Sequence, residues 1–199
     1  MKSKNTLIGF IVCLVLSLSL TFTVFSFVKE SPSPKLPVLG QVQDFSLKDS
    51  TGQKFNSDRL HGKVWIASFF FTTCSDICPL TSKNMASLSR AFEHVEDITL
   101  VSITVNPEQD SPETLALYAK KFIGSQRNWY FLTGPREAIT KVAVDSFRVG
   151  DIREPIFHSA LFPLVDSNGF IRGYYAGTKQ EDISRLFKDA ALLVRETKK

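Results

Sequence analysis

The sequence predicts an α/β domain, a mixed β-sheet with helices on both faces, preceded by one N-terminal transmembrane helix. Three observations predict it. No charged residue occurs between Asn5 and Val28. Two continuous apolar runs of strand length, Val64–Phe71 and Ile98–Val105, stand in the middle of the chain. Around them, strand patterns and helix patterns alternate to the C-terminus.

The N-terminal segment comes first. Leu7–Val28 is almost wholly apolar, and at about 1.5 Å per residue it would span roughly 33 Å as a helix, enough for a hydrocarbon core of about 30 Å. A cleaved signal peptide is the rival reading. Its apolar region would be about 7–15 residues and would end on a small-x-small site. Here Thr23, Phe25 and Phe27 punctuate the end of a longer run. An uncleaved anchor over residues 1–28 is therefore expected, with Cys13 an ordinary lipid-facing or packing residue. Lys2 and Lys4 hold the N-terminus inside, which places the rest of the chain outside the cytoplasm. A bacterial inner membrane with a periplasmic domain is the simplest arrangement. Residues 29–40, with Pro32, Pro34 and Pro37, read as a stiff tether. The folded domain is expected over residues 41–199.

Composition limits what that domain does. Of 199 residues, 43% are hydrophobic and 22% charged, which is ordinary globular usage and excludes a disordered chain. The formal net charge of +4 is small, and no basic stripe stands out, so no nucleic-acid partner is expected. Three cysteines are too few for a disulfide scaffold.

Each element then has its own signal. Phe45–Leu47 and Gln53–Phe55 flank the turn residues Asp49–Gly52, a hairpin pattern. Val64–Phe71 reads as a central strand. Pro79 can open a helix, and Met85, Leu88, Phe92 and Val95 follow at helical spacing. Ile98–Val105 is the second buried strand. Ser111-Pro112-Glu113 supplies a cap, a first-turn proline and an acid on the helix dipole. Leu115, Tyr118, Ala119 and Phe122 form that helix's apolar face. Trp129–Leu132 is a short strand, and Arg136–Phe147 a helix. Ala160–Val165 and Phe170–Tyr175 flank Asp166–Gly169, a second hairpin. Thr178 and Glu181 fit a capping box for an amphipathic last helix bearing Ile183, Leu186, Phe187, Ala190 and Val194. A βαβ unit, another αβ step, a hairpin and a closing helix make the thioredoxin-like order, here with an N-terminal hairpin and one extra strand–helix insertion.

The chemistry collects at the end of the first long strand, in Thr72-Thr73-Cys74-Ser75-Asp76-Ile77-Cys78-Pro79. Ligands bind at the carboxyl ends of strands in doubly wound sheets. A helix N-terminus lowers thiol pKa and favours the thiolate that binds metal or attacks a disulfide. Two buried, unrelated cysteines and a short structural disulfide are the blander readings. A third partner would come from His61, His94 or His158. His61 sits in a turn before the strand and His94 near a helix end, and both read as surface residues. His158 precedes the second hairpin, and in a thioredoxin-like fold that loop faces the cysteines. A ligand and a satisfied loop histidine are both open for it. Cys74, Cys78 and His158 together would suit both Cu(I) and Cu(II), whereas structural zinc would want a fourth ligand. Methionine occurs only at Met1 and Met85, which excludes a methionine-rich copper site.

The segment FFFTTCSDICPLTS resembles the Sco/SenC copper-chaperone signature, in which F-x-x-C-x-D-x-C-P follows a strand. SITVNPEQDSP (Ser102–Pro112) and His158-Ser159 followed by Leu164-Val165-Asp166 and Gly169 resemble the family's later segments. The resemblance implies a membrane-tethered, thioredoxin-like domain that holds one copper ion through Cys74, Cys78 and His158. It also implies a role at the binuclear copper site of cytochrome c oxidase. Ser75, Asn106 and Phe157 depart from the family pattern, where a proline, an aspartate and an acid are common. None of these removes a ligand. Asp76 is retained, with a cap or loop-orienting role expected. Two functions follow. In the first, a metallochaperone passes copper to the copper-site subunit of the oxidase. In the second, an extracytoplasmic thiol–disulfide oxidoreductase uses the Cys74–Cys78 pair on a partner's cysteines. Either would need an extracytoplasmic thiol reductant, since the compartment is oxidising. Only the first needs His158. The three-residue spacer, and Ser159 where oxidoreductases carry a cis-proline, favour the first.

Overall fold

A computed structural model describes residues 35–124, 128–149 and 160–198. The elements it contains all belong to the unit Leu36–Lys199. In chain order they are β1 (Gly40–Gln41), β2 (Ser46–Asp49), β3 (Lys54–Asn56), a 3-10 turn (Ser57–Leu60), β4 (Val64–Phe70), α1 (Cys78–Ala91), β5 (Ile98–Thr104), α2 (Pro112–Ala119), β6 (Trp129–Thr133), α3 (Arg136–Thr140), β7 (Leu161–Val165), β8 (Phe170–Ala176) and α4 (Gln180–Thr197). The eight strands form one sheet in the order β1-β8-β7-β4-β5-β6-β2-β3. The centre β4-β5-β6 is parallel, and β7, β8, β2 and β3 are joined to it antiparallel. This is the mixed thioredoxin-like sheet that the element order predicts.

Every residue of β4 and β5 is buried, because both faces of the sheet are covered. Alternation along β4 splits the core in two. Val64, Ile66 and Phe70 face the layer of α1, α2 and α4, with Met85, Leu88, Leu115, Tyr118, Leu186 and Leu193. Trp65, Ala67 and Phe69 face the other layer, with Phe55, Ile139, Val142 and Phe147. Phe147 is fully buried and meets Trp65 and Phe69 edge-on, with ring centroids 5.6 and 5.5 Å away. Where Ser68 and Ser102 interrupt the apolar run, their hydroxyls lie 2.6 Å apart and the Trp129 indole N–H donates to Ser102 Oγ at 2.9 Å. The polar atoms are thereby satisfied inside the sheet.

Asp166 folds the β7–β8 turn. Its Oδ1 accepts from the backbone N–H of Asn168 and Phe170 at 2.9 and 3.0 Å, and Gly169 supplies the positive φ of 81° that the turn requires. Its Oδ2 accepts from Arg172 Nη1 at 2.7 Å. The same guanidinium donates to the carbonyls of Leu36 and Pro37 at 2.5 and 3.0 Å, which pins the chain entering β1.

Three local readings change. Strand β1 carries no sequence signal; it forms because Gly40 and Gln41 pair with Ile171 and Phe170. The helix at Arg136–Phe147 is α-helical only to Thr140 and continues as a π-turn over Lys141–Ser146, which ends at Arg148 with φ 51°. The capping box at Thr178 is not formed: Lys179 is the N-cap of α4 and makes no side-chain cap bond. Asp182 instead turns back to accept the backbone N–H of Ala176 at 2.7 Å, so a first-turn acid ties the helix to β8. No helix among the described residues is long and apolar enough to cross a membrane. The expected anchor and the first half of the expected tether, residues 29–34, lie outside the described residues.

Candidate metal and thiol site

β4 ends at Phe70, and the chain reaches α1 through Phe71–Ile77. The Cys74 N–H donates to the Phe71 carbonyl at 3.3 Å, closing a four-residue turn directly beyond the strand. Cys78 is the first residue of α1, and Pro79 occupies a first-turn position where its missing N–H needs no partner. The N-cap Ile77 has no side-chain cap bond. Of the two roles expected for Asp76, the cap is not formed, because Ile77 holds the N-cap position, and the exposed Asp76 stands in the loop before it. The backbone N–H groups of Asp76, Ile77 and Cys78, at the entry to the helix, serve Cys74 instead.

The strand-to-helix turn makes the two thiols unequal. Cys74 is half-buried, whereas Cys78 is 1% exposed. Burial alone would push the Cys74 thiol up; hydrogen bonding with the Cys78 side chain and with the backbone N–H groups of Cys78, Asp76 and Ile77 outweighs it, and the net shift is downward. Burial pushes the Cys78 thiol up to about 12, with the Cys74 side chain adding to it and the Phe71 N–H opposing it. Both cysteines are free thiols in contact with one another. One is prepared as a thiolate, and the other holds a proton beside it. Under Cys78 lies an aromatic floor. Phe70 stacks on Tyr118 at 5.1 Å, and the Tyr118 hydroxyl meets Ser82 Oγ at 2.9 Å.

Two soft sulfur donors at one helix start can share a soft cation or form a disulfide. His158 lies outside the described residues. His61 and His94 are exposed, as expected, and stand beside Asp44 and Glu93. Asp44, Asp58 and His61 come together on the surface before β4, at the end of that strand away from the cysteines.

Sequence reasoning missed Asp110. It is fully buried and accepts hydrogen bonds from Thr72 and Thr104 at the ends of β4 and β5. An aspartate in a polar, proline-containing loop reads as solvated, so only the neighbouring cap Ser111 marks the place.

The chain matches the SCO1/SenC family over residues 38–193. It belongs to that family. Among Sco relatives, an "SCO2-like protein" of Rickettsia felis is 32% identical over 94% of this chain and 99% of its own length. The structure of BsSco, described as a Sco-family cytochrome c oxidase assembly protein with a disulfide switch, superposes with a TM-score of 0.71 at 28% identity, covering 80% of this chain and 97% of that one. The copper-bound ScoI of Bradyrhizobium japonicum gives a TM-score of 0.61 at 25% identity over 74% and 98% of the two chains. The mixed sheet with its cysteine turn is thus a Sco domain.

Proposed function

We propose that this chain is a membrane-tethered copper chaperone that binds one copper ion through Cys74, Cys78 and His158. Its task is to deliver that copper to, or to prepare, the binuclear copper site of cytochrome c oxidase. The observation that carries the reading is the pair of unequal thiols at the start of α1. The copper-bound and oxidase-assembly descriptions of its Sco relatives support it. Two thiolates are soft ligands that favour Cu(I), and an imidazole from His158 would make Cu(II) acceptable too. Cation binding replaces the Cys78 proton, so metal uptake at neutral pH releases protons. Residues 1–28 would anchor the chain in the bacterial inner membrane, and residues 29–40 would tether a periplasmic domain. Sharing a membrane with the client raises effective concentration without a large docking surface.

The test is copper titration of the purified, reduced full-length protein in detergent, with a competing chelator. One ion per chain is expected. Cys74→Ser and Cys78→Ser should abolish tight binding, and His158→Ala should weaken Cu(II) more than Cu(I). Unchanged binding by Cys74→Ser would refute the site.

The same thiol pair favours a second reading, an extracytoplasmic thiol–disulfide reductase. Cys74 would attack a partner disulfide, and Cys78 would then resolve the mixed disulfide. The pair loses two protons and two electrons, which reduce the partner's two cysteines. Retained reductase turnover by His158→Ala, with Cu(II) binding weakened, separates the two activities.

A further inference from the structure

We propose that Asp110 is a positioning residue for the cysteine pair, acting through Thr72. This rests on the reading of Cys74 and Cys78 as the functional pair. Asp110 precedes the N-cap of α2, in the loop that leaves β5. Its Oδ1 accepts from the Thr72 hydroxyl at 2.5 Å, and its Oδ2 accepts from the Thr72 backbone N–H at 3.1 Å and from the Thr104 hydroxyl. Thr104 is the β5 register partner of Phe70, so one carboxylate ties together the ends of the two central strands. Its own loop is held in turn. The Asp110 N–H donates to the Asn106 carbonyl at 3.0 Å, and the Asn106 N–H donates to Thr104 Oγ1 at 3.0 Å.

What makes this more than a loop brace is the residue gripped. Thr72 is the second residue of the Phe71–Cys74 turn, and it is held by both backbone and side chain. That turn sets both sulfurs: the Phe71 carbonyl receives the Cys74 N–H, and the Phe71 N–H is directed at the Cys78 thiol. A rotation at Thr72 would therefore disturb Cys74 and Cys78 together. Among the described residues no basic side chain forms an ion pair with Asp110. A buried carboxylate needs hydrogen-bond donors, and both oxygens of Asp110 accept from the threonines.

The experiment compares four variants of the full-length protein: Asp110→Ala, Asp110→Asn, Thr72→Val and Thr72→Ser. Each is read by its Cu(I) dissociation constant, by its thiol–disulfide equilibrium with dithiothreitol, and by its thermal midpoint. Asparagine retains an acceptor for the Thr72 N–H, and the hydroxyls can rotate to accept from its amide. Asp110→Ala should weaken Cu(I) binding at least about tenfold and shift the dithiol equilibrium, whereas Asp110→Asn should stay within about threefold of wild type. Thr72→Val should lose about three- to tenfold, and Thr72→Ser should restore wild-type values. If Asp110→Ala unfolds, the Thr72 pair still decides. Wild-type affinity and equilibrium in Thr72→Val with only a lowered midpoint would reduce Asp110 to a brace for the fold. A loss in Asp110→Asn as large as in Asp110→Ala would assign the effect to charge and overturn positioning. Failure of the wild type to bind copper strikes the chaperone reading instead, and the dithiothreitol equilibrium still tests the positioning.

Discussion

Alkylation of the reduced, metal-free protein should be strongly selective for Cys74. The Cys78 thiol is pushed from an ordinary 9.0 up to about 12. Near neutral pH this lowers its thiolate fraction roughly 1,000-fold. A more basic thiolate is intrinsically the better nucleophile, with a Brønsted slope of about 0.5, which returns a factor of roughly 30. The net handicap from ionisation is therefore about 30-fold, and 1% exposure of Cys78 adds a steric barrier to it. Cys74 moves the other way, because hydrogen bonds from the helix start favour its thiolate. Treating the protein with iodoacetamide at pH 7.5, quenching at intervals and quantifying the two modified residues by peptide fragmentation gives both rates in one sample. Cys74 should react at least about 30-fold faster, and the midpoint of its rate against pH should lie below the ordinary 9.0. Comparable rates, or Cys78 reacting first, would refute the unequal-thiol site.

Three further outcomes follow from the fold. Cys78, Tyr118 and Tyr175 all hold their protons more tightly when folded, chiefly through burial, so the unfolded chain releases protons first as pH rises. Stability is then fully present below about pH 9 and falls above it, and the thermal midpoint should be lower at pH 10.5 than at pH 8. Arg172→Leu removes the partner of Asp166, whose side chain is 9% exposed, together with the bonds to Leu36 and Pro37. It should cost about 3 kcal/mol and lower the melting temperature by roughly 6–12 °C, measurable by circular dichroism. Phe147→Ala empties a fully buried ring site against Trp65 and Phe69. A loss of about 3–5 kcal/mol is expected in denaturant titration, and a loss below about 1 kcal/mol would contradict the packing described.

The long-range architecture was legible because its signals are physically redundant. A strand buried on both faces must be apolar throughout, and Val64–Phe70 and Ile98–Thr104 are. The start of α2 was equally plain: Ser111 accepts the Thr114 N–H, as a cap before proline should. Cys74 and Cys78 were found because thiols are rare here and fall on one turn. What stayed hidden depends on tertiary partners. Strand β1 exists only because β8 offers it bonds. Thr178 has the right spacing for a cap, but Asp182 bonds instead to Ala176, and the helix begins after Lys179. Asp110 is buried against the end of β4, 38 residues away in sequence, and nothing in its neighbours announces that. His158 rests on the family resemblance and lies outside the described residues.

The sheet's borders bear on how a partner can approach. Its most aggregation-prone segments, the apolar runs of β4 and β5, sit in the middle, while the outermost strands β1 and β3 are two and three residues long. Beyond β1, the Ala176 N–H is already taken by Asp182. Such borders give little template for strand addition, so sheet extension into fibrils, or recognition by an inserted peptide strand, has almost nowhere to start. For the proposed chaperone, a client would then meet the loops at the carboxyl ends of β4 and β5, where the cysteine turn lies. A contact made there would need no ladder of backbone bonds to form or to be undone.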